Sequence, residues 1–550
     1  MIKTPGQQLL ALGVGAMFLV FLLMAGLSAM SGQSANADAV DPATKTITVQ
    51  LNFEPPNLDS GATADQMSSI ILGHVMEGLA RLDEHNNLVP GIAERWDVRP
   101  DGATFWLRKD AKWSDGQPVT AHDFVFAWRR VVDPATASEY ANIMSPLRNA
   151  DAINAGKLPP SALGVEADGD WILQVHFIRP VPYFARLMAF NVFFPVREDF
   201  YKTTDGRYAA DADKMLYDGP FKMTQWVHGA HIHMMKNPDY WDRDRIKINA
   251  IDIPYFTTDP NAIINLFRDG KIALAPLAQE NLDEAQSLGW NIKGFQDGSI
   301  AYVEFNHRPG HITRNRNFRR AIQYTLSADS EVNKVIKIPG YIPGRSLFPL
   351  WLDGVHDKFR KEYPAPRITP DFTKARAYLA KAKKELGVKE FPPLMLLSDD
   401  TPLVSSVAQY YQDTLKRQLG LDVRIDQQIF KQRLAKARAG QFDLLMSLWG
   451  PDYADPMTFA GLFVTGNPQN RGAYSNPEYD RQVAIADNSG DEAVRMKAFA
   501  AIQDIIADDV VILPTYERTR LYVVDPRIKG VVRRVIGADT DYTNVSIVGD

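Results

Sequence analysis

Two carboxylates stand three residues apart in "WGPDYADPMTFA", residues 449–460: Asp452 and Asp455. Acids at that spacing suit four kinds of work: the acid and base of a hydrolase, a metal site, a helix cap or a hook for a cationic ligand. Asp455 lies directly before Pro456, and Met457, Thr458 and Phe459 continue in helical style. An aspartate cap with proline at the first helical position is how many helices start, so Asp455 reads as structural. Asp452 has no such role in view. It sits between Pro451 and Tyr453, close to Trp449, and the local sequence leaves it two uses: a solvated turn former or a ligand contact. With Asp455 taken as a cap, the two make a poor hydrolytic pair.

The histidines offer little more. His231 and His233 are two apart on an expected strand, so both point to one face. With a distant acid they could hold a metal; with no third ligand in view they read as exposed strand residues, and no metal is assigned. His307 and His311 sit in an arginine-rich loop that repels cations. There is no G-x-S-x-G elbow, P-loop, H-E-x-x-H or G-x-G-x-x-G, so no catalytic residue and no cofactor is expected. Cysteine is absent, which excludes a thiol nucleophile, a thiolate metal site and a lipoprotein anchor.

What positions Asp452 is legible in residues 391–448. "PLMLL" reads as a short strand, "VSSVAQYYQDTLKRQLG" as an amphipathic helix stopped at Gly420, and "LDVRI" as a second strand. "KQRLAKARAG" follows as a helix ending at Gly440, then "FDLLMSL" as a third strand. Alternation on such short connections implies parallel strands with right-handed crossovers, hence an α/β lobe. Asp452 then leaves the C-terminal end of the third strand, where open α/β sheets bind their ligands. Upstream, "TITVQLNF", "TFWLR" and "SIAYVEFN" predict strands, and the polar turn at 83–87 predicts a hairpin. "DGPFKMTQW" and "HIHMMKNPDYW" predict two more, closed by a turn at 237–238. Thr120 and Asp123 predict a capping box opening a helix whose Phe124, Trp128 and Val131 face a core.

At 550 residues the chain is too long for one compact core, so two or three lobes are expected. A net charge of −5 argues against nucleic acid. Lys3, an uncharged stretch from Leu9 to Leu27 and small residues at Ala37 and Ala39 predict a secretory signal cut after Ala39. The stretch approaches the ~20 residues that span a bilayer, so an uncleaved anchor is the other reading. Both place the bulk of the chain outside the cytoplasm, in the periplasm. Aromatics near turns, among them Trp106, Trp226 and Trp351, suit a protein that encloses an extended ligand.

Assembled, the chain resembles the extracellular solute-binding proteins of oligopeptide ABC transporters. "NLVPGIAERW", "AKWSDGQPVTAHDFVFAWRRVVDPATASEYA", "PVPYF", "DGPFKMTQW", "NPDYWD", "NFRRAIQYTLS" and "PDYADPMTF" look like that family's pieces in its order. The resemblance implies the α/β, type II periplasmic binding-protein fold: two main lobes closing on a hinge, plus a third lobe. By this likeness 1–39 is the signal, 77–202 the extra lobe and 299–517 one main lobe. The other main lobe would comprise 40–76, 203–298 and 518–550. In peptide-binding members, a carboxylate at the position of Asp452 holds the ligand's α-amino group. Leu448 and Gly450 look like the strand beside an extended peptide, Ala64 and Gln66 like their counterparts on the other lobe. Trp449 and Tyr140 would line the pockets. The family's histidine and arginine for the ligand carboxylate fall here on Val404 and Met446, and a lysine falls near Ile336, with Lys334 and Lys337 close by. A disulfide of some members is replaced by Ser299 and Gly450. The resemblance thus implies a non-enzymatic monomer that takes a peptide with a free amine and an unusual far end, and delivers it to an ABC permease. A non-peptide solute binder of the same fold, or a signalling or chaperone-like relative, are the alternatives.

Overall fold

A computed structural model describes residues 38–63 and 65–549; the expected signal up to Ala37, and Ala64, lie outside the described residues. Alternation in "TITVQL" makes Thr46–Leu51 a strand that buries Ile47, Val49 and Leu51. It pairs in parallel with Ala250–Phe256, which carries His231–Lys236 and then Phe221–Val227 antiparallel, with Val40–Asp41 at the other edge. Ile232, Met234, Ile251 and Ile253 bury one face of this five-stranded sheet. His231, His233 and Asp252 alternate with them and stand half-buried. The fold already uses its first described residues. Asp38 pairs with Arg527 at 3.0 Å, and the buried Ala39 donates its N–H to Gly270 O at 2.7 Å.

A second sheet, in the order Ala93–Arg99, Gly102–Leu107, Ile172–His176 and Val165–Asp168, is antiparallel throughout. The helix Ala121–Val132 begins as its sequence predicts: the Asp123 carboxylate accepts the Thr120 N–H at 2.8 Å and the Trp113 indole at 3.2 Å. Phe124, Trp128 and Val131 are buried beneath it. This sheet and the five-stranded one share a continuous apolar core.

The third sheet runs Leu274–Leu277, Ile512–Val524, Lys293–Phe305, Leu444–Trp449, Leu394–Asp399, Val423–Gln428, with Ile342–Pro343 paired to Ile512–Val524. Its last three strands are the expected parallel trio. The helix Pro402–Leu419 between two of them stops at Gly420, φ +67. From Asp297 onward the strand Lys293–Phe305 is buried on both faces, and its alternation splits the core in two. Ile300 and Tyr302 join one cluster; Ala301, Val303 and Phe305 join the other.

Two molecular bodies therefore meet along two long antiparallel strands, Lys293–Phe305 and Ile512–Val524, with Leu274–Leu277 beside them. Their ladder breaks between Gln296 and Ile300. In the break, buried Asp297 accepts from Arg518 at 2.7 Å and Arg520 at 2.8 Å, so three charges satisfy one another where strand pairing is lost. Gly298 follows with φ +75, and a β-carbon there would come within 2.4 Å of Val535 and 2.9 Å of the Trp351 indole. Gly298→Ala should lower stability by at least ~1–3 kcal/mol, combining left-handed strain with overpacking. Urea unfolding checks this; a midpoint equal to wild type contradicts it.

Candidate functional site

The strand Leu444–Trp449 delivers the loop of interest. On one side it pairs antiparallel with Lys293–Phe305 along its whole length, from Phe305↔Leu444 to Ile300↔Trp449. On the other, its ladder with Leu394–Asp399 ends at Leu397↔Leu445. From Met446 to Trp449 that edge has no strand partner among the described residues, so its backbone groups can pair with an extended ligand. Leu448 and Gly450 are exposed, and a β-carbon on Gly450 would lie 3.3 Å from Ser299 Oγ. Trp449 packs against the core, yet its buried indole N–H makes no hydrogen bond among the described residues.

The two acids of the loop do different things. Asp455 is buried, and its oxygens take both arms of Arg495 at 2.7 and 2.9 Å, with side-chain exposures of 6% and 4%. Asp455 Oδ1 also accepts the Met457 N–H at 2.9 Å, at the start of the short helix Met457–Ala460, where Pro456 occupies the cap position. The structural reading holds, but its chief partner is an arginine 40 positions away that sequence could not offer. Asp452 is held by its backbone, whose N–H donates to Thr458 Oγ1 at 3.1 Å. Its carboxylate has no ion pair and no hydrogen bond among the described residues. Desolvation alone pushes it up to about 6.

The segment containing the second sheet leans over this loop. Tyr183 stacks on Tyr453 with centroids 5.1 Å apart and planes 11° from parallel. Arg186 donates to Ala454 O at 2.5 Å, and Arg179 pairs with Asp487 at 2.7 Å. Tyr140 packs edge-on to Phe190 at 4.9 Å; burial, and then the Asp452 charge, push its phenol up. These contacts were invisible to sequence reading, although the second tyrosine of the stack lies inside the quoted motif.

Of the expected site residues, Leu448, Trp449, Gly450 and Asp452 share one strand end and the loop that follows it, and Tyr140 feels the Asp452 charge. Gln66 is exposed at the first turn of Gln66–Val75, its amide 3.4 Å from Asp539 O. It lines a cavity of about 220 Å³ with Gln50, Asn52, Tyr341, Arg518 and Arg520, where the five-stranded sheet faces the long strands. Ala64 lies outside the described residues. Where the family likeness puts a carboxylate clamp, Val404 and Met446 are half-buried and Ile336 is fully buried. Lys334 and Lys337 are exposed on the adjoining turn. Ile429 and Phe430, 55% and 63% exposed, follow the strand Val423–Gln428 at the same end of the sheet.

Residues 87–471 match the middle region of the bacterial extracellular solute-binding proteins, family 5. The chain belongs to this family. It is 29% identical over 531 residues to a Bacillus subtilis protein named dipeptide-binding protein DppE, covering 96% of this chain and 97% of that one. The substrate-binding domain of an oligopeptide ABC transporter from Bacillus anthracis superposes with a TM-score of 0.77 at 33% identity, over 92% of this chain and 99% of that one. Listeria monocytogenes OppA, solved bound to peptide, gives 0.76 at 31%, over 92% and 99%. The fold is thus the α/β, type II periplasmic binding architecture, and the family consists of substrate-binding proteins of transporters.

Removing one partner of a buried ion pair costs far more than losing a cap. Asp455→Ala should therefore destabilise by ~3–5 kcal/mol rather than the ~1 kcal/mol of a lost cap, as read by urea unfolding. A loss of cap size would show the Arg495 pair to be unimportant. Asp452 should behave oppositely. A carboxyl raised to about 6 in the fold destabilises it as pH rises from about 4 to 6, and the penalty persists above. Asp452→Asn should raise stability without ligand by ~1–3 kcal/mol at pH 7.5, with the gain vanishing near pH 4. A gain equal at both pH values, or none, would contradict this.

Proposed function

We propose that the chain captures peptides in a cleft between its lobes, holds their free amine with Asp452 and delivers them to an ABC permease. The carrying observation is the desolvated, unpaired Asp452 carboxylate beside an open strand edge. An ammonium entering there finds a counter-charge whose desolvation has already been spent, so the pair is strong. The peptide backbone can add to Met446–Gly450 as a strand, which binds without regard to side-chain identity. The buried Trp449 N–H, unsatisfied among the described residues, supplies one more donor toward a bound group.

In this reading 40–76, 203–298 and 518–550 form one main lobe, 77–202 the extra lobe and 299–517 the other main lobe, with the strands Lys293–Phe305 and Ile512–Val524 of the third sheet crossing the boundary between the main lobes. The ladder break at 296–300 supports a hinge there. The protein acts as a monomer without chemistry of its own. Asp38 and Ala39 support an export signal that ends after Ala37, in the small-x-small run Ala35-Asn36-Ala37, rather than after Ala39. Sequencing the mature N-terminus tests this; a start at Val40 contradicts it.

The far end of the ligand is unusual. Val404, Met446, Ile429 and Phe430 make an apolar end to the sheet where a carboxylate clamp would need cations. This favours a peptide that is apolar at that end or runs beyond the cleft. Calorimetric titration with a panel of short peptides tests both halves. Asp452→Ala, or N-acetylation of the peptide, should weaken binding by ~2–5 kcal/mol, and C-terminal amidation should change it little. Binding of free-amine peptides should also fall below about pH 6, as Asp452 takes up its proton. Indifference to the amine would overturn the hook; strong dependence on the carboxylate would overturn the apolar far end.

A further inference from the structure

We propose that His231, His233 and Asp252 bind one divalent transition-metal ion on the outward face of the five-stranded sheet. Sequence supplies only the two histidines; the register supplies the acid. Asp252 is the direct cross-strand partner of His233, and alternation puts His231 on the same face. His231 Nε2 lies 2.6 Å and His233 Nδ1 2.9 Å from Asp252 Oδ1, and the three atoms lie within 4.8 Å of one another. Tetrahedral bonds of ~2.0–2.1 Å need ligand atoms about 3.3 Å apart, so small side-chain rotations open the site.

Three further observations favour an ion. The strands beneath are fixed by buried Ile232, Met234, Ile251 and Ile253, so the ligands' backbones are preset. Side-chain exposures of 22%, 28% and 16% leave the cluster reachable, with room for water to complete the coordination. Among the described residues, Asp252 accepts from these two histidines and pairs with no lysine or arginine, so no side-chain cation fills the place. Two imidazoles and one carboxylate select zinc, nickel or copper over magnesium or calcium. An ion there would bridge neighbouring strands of one lobe and stabilise the folded chain by linkage. It would do so through residues that take no part in the proposed peptide contacts.

The test is titration of Zn²⁺ into the full-length mature protein without a histidine tag, in competition with a chromophoric chelator. One tightly bound equivalent is expected, together with a rise in melting temperature. In the double variant His231→Ala/His233→Ala, affinity should fall by more than the ~10–100-fold usual for losing an outer hydrogen-bond partner of a ligand. Absence of a bound equivalent, or one that survives the double substitution, would overturn the proposal. A second measurement needs no variant. Bound Zn²⁺ should shield His231 and His233 from diethyl pyrocarbonate, mapped by mass spectrometry, and leave His228 unshielded. His228 is the control because it bonds Glu54 at 2.6 Å and Asp211 at 3.2 Å elsewhere. Equal labelling with and without zinc, or shielding of His228 alone, would contradict the site.

Discussion

A half-buried carboxylate can stay unpaired beside an open strand edge only if something else fixes the loop that carries it. Here that anchor is the buried pair between Asp455 and Arg495, two hydrogen bonds at 2.7 and 2.9 Å in a site closed to water. Three residues earlier, Asp452 has its backbone tied to Thr458 and its side chain free. The division of labour between the acids is set by burial and by Arg495. If Arg495 reached Asp452 instead, the loop would be neutral at its tip and a ligand amine would meet no charge. Holding Asp452 in this state costs folding free energy, and in the proposed role an incoming ammonium would turn that cost into affinity.

The rest of the architecture brings two bodies to this loop without making them one. Two long strands join them, and the pairing between those strands is broken where Asp297 and Gly298 sit. Across the other side, the contacts include the Tyr183–Tyr453 stack, Arg495 over the Tyr183 ring, Arg186 on Ala454 O, and Arg179 with Asp487. A stack, one main-chain hydrogen bond and one partly exposed ion pair are modest contacts, and they suit the proposed opening and closing of the lobes. In the proposed function, the main-chain edge at Met446–Trp449 would let the site take peptides of varied sequence. Strand addition reads the backbone, while pockets and ends do the selecting.

Much of this was legible in the sequence, and the reasons are local. The parallel trio from Leu394 to Trp449 followed from short apolar runs, helix stops at Gly420 and Gly440, and tight connections. The capping box at Thr120 and Asp123 is a four-residue pattern, so it could be read directly. What escaped is what depends on distant partners. Arg495 lies 40 residues beyond Asp455 in a helix with no pattern to single it out, and so a buried ion pair was taken for a simple cap. Asp252 lies 19 residues from His233, and only strand register puts them face to face. Tyr183 and Tyr453 meet because two separate bodies touch, which no periodicity records.

The central claim is that Asp452 exists to hold a free amine. Its most direct test is to purify the exported protein from its native envelope, denature it, and identify by mass spectrometry whatever is released. The account predicts short peptides with unmodified amino termini and with apolar or extended far ends. A released solute with no amine, such as a sugar or an amine-blocked peptide, would contradict it and leave Asp452 as a loop acid.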